Sequence, residues 1–141
     1  MGIMKRISIL AVVIGIVVDM LGTMITSSIF TVIYVLTNHL DIYNIKALYN
    51  NNLYISLCMI IGAIFSVLGG FVAARIAKQS KLMHSSIIGL ACELLGIYTI
   101  LFGKSILPTW YHVIGFIITI PLTLYGGFLG IKVKKMKNIG A

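Results

Sequence analysis

Four long apolar segments constrain this chain more than any other feature of its sequence. They lie roughly at residues 7–36, 53–77, 82–102 and 110–133. About 20 apolar residues in a helix, rising 1.5 Å each, cross roughly 30 Å of hydrocarbon. We therefore predict four transmembrane helices in a single transmembrane domain, 1–141, whose loops are too short to hold a separate soluble domain.

Composition assigns the class of protein. Hydrophobic residues make up 60% of the chain, charged residues 10%, and the mean hydropathy is +1.08. A soluble domain of this composition would have too little polar surface to cover itself. The predicted fold class is all-α, an integral membrane four-helix bundle. Lys5 and Arg6 precede an apolar run about twice the length of the apolar region of a secretory signal, with no clear cleavage site, so we predict a retained anchor.

The distribution of Lys and Arg predicts the orientation of the helices. Positive residues are retained on the cytoplasmic side of a membrane. Both termini and the middle loop are therefore predicted to be cytoplasmic, in the cell (inner) membrane. The net charge of +8 comes without a soluble basic face, so the expected partner is the lipid bilayer and no nucleic acid is expected. The topology-setting residues are Lys5, Arg6, Arg75, Lys78, Lys81, Lys132, Lys134, Lys135 and Lys137.

The segment between the first two apolar runs leaves two alternatives open. Ile42, Ile45 and Tyr49 recur at helical spacing, which is typical of a short helix lying in the membrane interface. An ordinary loop with scattered apolar residues fits equally well. Trp110 and Tyr111 open the fourth run and fit an aromatic belt at the same outer boundary.

Small and polar residues form one stripe on each predicted helix. Inside lipid, helices associate through close backbone approach and interhelical hydrogen bonds, so such stripes predict packing faces. The predicted packing residues are Gly15, Gly22, Gly62, Ser66, Gly70, Ala74, Gly89, Gly96, Gly126, Gly127 and Gly130.

Two of the three acidic residues, Asp19 and Glu93, interrupt apolar segments on these small-residue faces. Counted from the predicted cytoplasmic ends, Asp19 lies about 12 residues and Glu93 about 11 residues into its helix, so both are roughly 17 Å deep. Because an unpaired carboxylate is costly there, we expect both to be neutral and to face other helices. Two roles stay open: a proton or ion site, since intramembrane acids are candidates for function, or a buried polar contact that supports assembly.

The other reactive residue types predict no chemistry. Cys58 and Cys92 lie within predicted helices without a C-x-x-C motif, so they are expected to pack as small apolar side chains. The three histidines are dispersed along the chain, and no hydrolase or metalloprotease motif is present. We therefore expect no enzymatic activity, no metal and no cofactor.

Two stretches of sequence suggest relations within and beyond the chain. LGGFVAARIAK and YGGFLGIKVKK share a GGF and basic residues, which is compatible with two parallel helical hairpins. The stretch GGFVAARIAKQSKLMHSSIIGL resembles the junction between helices two and three of small four-helix bacterial membrane proteins of unassigned function. The matching residues are Gly69, Gly70, Phe71, Ala73, Ala74, Arg75, Ala77 and His84. The resemblance implies four helices and a cytoplasmic middle loop, and it brings no activity with it.

Two functional classes follow from these features. The first is a small non-enzymatic accessory or assembly protein that docks on itself or on another membrane protein. The second is a proton- or cation-coupled transporter or channel that uses Asp19 and Glu93.

Overall fold

The structure is a computed structural model that describes residues 8–40, 45–103 and 105–139, without the side chains of residues 45 and 134–139. The described residues form five helices and no strand. The helices are α1 (Ile9–Thr37), α2 (Ile45–Tyr49), α3 (Asn52–Ile76), α4 (Lys81–Phe102) and α5 (Thr109–Ile139). Four of them are long and apolar enough to cross a membrane. The prediction of an all-α four-helix bundle is confirmed, and the chain is a multi-pass membrane protein.

Polar residues begin the helices where the apolar runs start. Ser8 caps α1, its side chain accepting from the N–H of Ala11, and Asn51 caps α3 by accepting from the N–H groups of Leu53 and Tyr54. Such caps satisfy donors that a helix start leaves free. α5 continues past the predicted end at 133 to Ile139. The lysine-rich segment ends the apolar pattern without ending the helix, because lysine is a good helix former.

The short helix α2 lies at one end of the bundle, beside the C-terminus of α1 and the start of α3. Leu48 is its buried side chain and Lys46 is exposed. Leu48 belongs to a small core with Val35, Tyr54 and Ile55. The part of the predicted interfacial face that includes Ile42 lies outside the described residues.

α3 occupies the centre of the bundle. It packs against α1, α4 and α5, whereas α1 and α5 stand at opposite corners and share no packed interface in the described residues. The most extensive interface joins α3 to α5, which belong to different predicted hairpins. The largest single interface of the bundle therefore joins the first half of the sequence to the second.

One half of the bundle is closely packed. We call the part that contains residues 8–19, 66–92 and 120–133 the tight half. Backbones cross there at glycines: a Cβ atom on Gly69 would lie 2.8 Å from the Gly15 carbonyl oxygen, and one on Gly126 would collide with the Val67 carbonyl oxygen. Among the described residues other than glycine, those with no exposed surface all belong to this half; they are Ala11, Ala73, Ala74, Ala77, His84, Ser85, Ile88 and Thr123.

The other half, residues 20–40, 45–65, 93–103 and 105–119, is the loose half. Its far end is held by an aromatic cluster around Tyr54, whose hydroxyl group lies 2.7 Å from that of Thr31. No described residue of α4 belongs to this cluster. The apolar side chains at the end of α4 are exposed, as Tyr98, Leu101 and Phe102 show, the last with 72% of its surface accessible.

The described basic residues at the α3–α4 connection gather at the end of the tight half. Arg75, Lys78 and Lys132 are exposed there, and the Arg75 guanidinium lies over the Phe71 ring at 5.7 Å. Lys81 opens α4 at the same end. Lys5 and Arg6 lie outside the described residues, as do the side chains of Lys134, Lys135 and Lys137.

Candidate functional site

The loose half holds a cavity of about 480 Å³ between the four long helices. It extends from the boundary of the tight half to Tyr111 in the first turn of α5. Polar side chains from all four helices line it: Asp19, Thr23, Ser66, Glu93, Thr99, Tyr111, His112 and Thr119. A volume of this size is typical of a pocket for a small molecule.

Asp19 forms the floor of the cavity at the boundary of the tight half. Its side chain is only 5% exposed. The Ser66 hydroxyl of α3 donates to the two carboxyl oxygens at 3.2 and 3.3 Å, and the Cys92 thiol of α4 donates to Oδ2 at 3.3 Å. Asp19 therefore joins three helices through hydrogen bonds that it accepts.

Glu93 follows Cys92 on α4 and lines the same cavity. Its Oε1 atom is buried and has no hydrogen-bond partner. Thr119 of α5 lines the cavity as well, and its hydroxyl donates to the Gly115 carbonyl at 2.8 Å. The same hydroxyl is a neighbour of the Glu93 carboxyl group, and while its single hydrogen is donated to Gly115 it presents its lone pairs to that group. This side of the cavity therefore presents hydrogen-bond acceptors. A protonated acid or a bound cation would supply the donor that they lack.

The described lining of the cavity holds more acid than base. Two carboxyl groups and one imidazole, that of His112, line it, and none of its described lining residues is Lys or Arg. An ionised carboxylate in such a site makes the local potential negative and attracts cations. Holding that charge without a counter-ion is expensive in low dielectric, so ionisation and cation binding favour each other there.

The sequence-predicted residues divide between the two halves. Asp19 and Glu93, expected at equal depth, share one cavity. Gly62 and Gly96 line that cavity, where a Cβ atom would meet its neighbours at ordinary contact distances of 3.9 and 3.5 Å. Gly22 lies against the Phe65 ring. The remaining packing residues lie in the tight half: Gly15, Ser66, Gly70, Ala74, Gly89, Gly126, Gly127 and Gly130.

Two residues have contacts that the sequence analysis missed. Cys92, expected to pack as an apolar side chain, donates to Asp19. His84 is fully buried, and its Nε2 accepts from the Ser8 backbone N–H at 2.8 Å, which leaves Nδ1 to donate to the Ser80 carbonyl at 2.9 Å. Cys92 follows Ser85 by seven residues and so lies on the same helix face, and that spacing was the available signal, whereas His84 lies about 100° around the helix from Ser85 and had no such signal.

Within the described ranges, no three His, Cys, Asp or Glu side chains are grouped so that they could hold a metal ion. No family model, curated protein or solved structure matches the chain. The assignment of function therefore rests on the cavity.

Proposed function

We propose that this protein moves a cation across the membrane in exchange for protons carried by Asp19 and Glu93. The observation that supports it is the presence of both intramembrane acids on one cavity, where Glu93 Oε1 has no protein partner. An acidic residue within a membrane is energetically costly. Such residues are therefore rare, and they usually pair with another polar group or form part of a proton or ion pathway.

The exchange conserves charge in the cavity. In the resting state Glu93 carries a proton, for which the Thr119 hydroxyl provides acceptor lone pairs. When a cation enters, the proton leaves to water in the cavity and the carboxylate becomes the counter-ion. Asp19, held by Ser66 and Cys92 at the floor of the site, is the second acid on which the exchanged proton can reside, so one proton leaves for each monovalent cation that enters.

The tight half supplies the barrier that a transporter needs on the opposite side of its site. With the predicted topology, the cavity lies toward the outer surface and the tight half toward the cytoplasm. The contact between α4 and the first part of α1 extends from the Ser8–His84 hydrogen bond to the Asp19–Cys92 hydrogen bond. These two helices would have to separate along this contact to release the cation to the cytoplasm. Alternating access through this seam is part of the proposal.

Proton movement in reconstituted vesicles tests the proposed function. Purified protein is placed in liposomes that contain a pH-sensitive dye, with an acidic interior and an external medium to which Na⁺, K⁺ or 2-phenylethylammonium is added. At least one of these cations is expected to accelerate proton efflux beyond the rate in protein-free liposomes, which measures how fast the neutral amine crosses the bilayer by itself and takes up protons inside. Asp19→Asn and Glu93→Gln should abolish the acceleration.

Ser28→Ala provides the matched control, since the Ser28 hydroxyl is exposed and bonds only its own helix at the Met24 carbonyl. That variant should retain full activity. If no cation moves protons, or if both acid variants do so at the rate of the original protein, the proposal fails.

A second function, assembly on another membrane protein or on a copy of this chain, is favoured by the end of α4. Beyond Glu93 that helix exposes Leu94, Tyr98 and Leu101 on one face, and it also exposes Leu95 and Phe102 on the neighbouring face. Copurification in a gentle detergent tests this function through the mass of the eluted complex. A particle with the mass of one chain alone would count against it.

A further inference from the structure

We infer that the cavity selects an organic ammonium ion that has an apolar body and at least one N–H group. This inference names the substrate class of the proposed transport and rests on that function. Three properties of the cavity carry it: its size, its apolar walls and the chemistry of its unpaired atoms.

The cavity is far larger than a bare ion requires. Oxygen ligands around a cation such as Ca²⁺ lie 2.3–2.6 Å from it, so an ion site closes tightly on its occupant. The volume of about 480 Å³ lies instead in the range of pockets that surround small organic molecules. An occupant that fills this space needs a body of several carbon atoms.

The walls match such a body. Met20, Met24 and Met59 contribute flexible thioether side chains that adapt to irregular apolar shapes. Phe116 and Tyr111 contribute aromatic rings, whose faces attract a cation. A hydrated metal ion would gain little from these five side chains, whereas an apolar ammonium ion would bury its carbon atoms against them.

The unpaired polar atoms favour a donor of hydrogen bonds. Glu93 Oε1 and Thr23 Oγ1 are buried without partners, while the Asp19 oxygens already accept from Ser66 and Cys92. An N–H group can donate to either unpaired oxygen, and a quaternary ammonium ion cannot. Because Glu93 is the acid with an open oxygen, we expect it to bind the ammonium group directly.

Binding of three matched probes to the full chain in detergent tests the inference. The probes are 2-phenylethylammonium, its neutral isostere 2-phenylethanol, and the trimethylated quaternary ion, measured by calorimetry and by the fluorescence of Trp110, the single tryptophan, next to Tyr111. The ammonium ion should bind about ten- to a hundredfold more tightly than the alcohol, the effect of one charge-assisted hydrogen bond. The quaternary ion should bind more weakly than the ammonium ion.

Two variants assign the effect to the site. Glu93→Gln should remove the preference for the ammonium ion over the alcohol, and Glu93→Asp should restore part of it. Gly115→Leu keeps both acids but fills the cavity, because a Cβ atom there meets nothing within 4 Å. It should weaken the binding of all three probes, and it covers the case in which Glu93→Gln does not fold.

The outcomes separate this inference from the proposed function. Equal binding of alcohol and ammonium ion, or unchanged binding in Gly115→Leu, would overturn the inference. Proton efflux driven by Na⁺ or K⁺ with no binding of 2-phenylethylammonium would also overturn it and leave cation transport standing. Selective binding of the ammonium ion without any proton movement would support the inference and contradict transport.

Discussion

The two halves of the bundle use the same helices in different ways. In the tight half, glycines bring backbones into contact, and the bundle has no room for a side chain at the crossings. In the loose half, Gly62, Gly96 and Gly115 line open space, and acids face a cavity. Small residues within a membrane therefore permit either close packing or a site, and the neighbouring helices decide which.

The largest expected effect comes from filling a crossing in the tight half. Gly126→Leu should lower the free energy of unfolding by about 3 kcal/mol or more, because the new side chain meets the Val67 backbone carbonyl, which cannot rotate away. Gly115→Leu in the loose half is the matched control and should stay within about 0.5 kcal/mol of the original protein. Thermal unfolding in detergent measures both, and equal losses of stability would remove the distinction between the halves.

The second comparison uses one histidine from each half. His84→Ala removes a fully buried side chain that links α4 to the start of α1, so it should cost about 2 kcal/mol. His112→Ala removes a half-buried ring that lies 2.9 Å from the Ser105 hydroxyl, and we expect a smaller loss. Unfolding curves of the two variants check this order, which a greater loss for His112→Ala would contradict.

A smaller effect is expected at the boundary between the halves. Ser66→Ala takes away the hydroxyl that donates to both Asp19 oxygens. Hydrogen bonds between membrane helices average about 0.6 kcal/mol and reach about 1.7 kcal/mol, and we expect a value in this range. Ser56→Ala, exposed on the same helix, is the control and should change the stability little. Unfolding in detergent distinguishes them, and an equal effect at Ser56 would show that the Asp19 contact contributes nothing.

The smallest effect is local and needs no substitution. Backbone amides in the exposed end of α4, residues 94–102, should exchange their hydrogens faster than those of residues 82–90 on the same helix, because fewer packed neighbours resist local opening. Hydrogen exchange followed by mass spectrometry in lipid nanodiscs measures the two segments side by side. Uniform protection along α4 would mean that its far end is packed as firmly as its start.

The sequence alone predicted the membrane class, the four long helices and the shared depth of Asp19 and Glu93. These features can be predicted from the length and hydropathy of each segment, because a segment that crosses lipid has to form a helix that satisfies its own backbone hydrogen bonds. Spacing also placed Gly70, Gly89 and Gly126 on faces that turn toward other helices. Each of these properties concerns one helix at a time, so it can be predicted from the order of residues along that helix.

Only the tertiary structure decided which of these faces pack and which enclose space. Gly62 and Gly70 occupy the same stripe of α3, yet one lines a cavity and the other would collide with Thr123 if it carried a side chain. The partner of Asp19 and the bond between His84 and Ser8 likewise depend on how far neighbouring helices stand apart. The distance between two helices depends on how all four helices pack together, so it cannot be predicted from the sequence of any one of them.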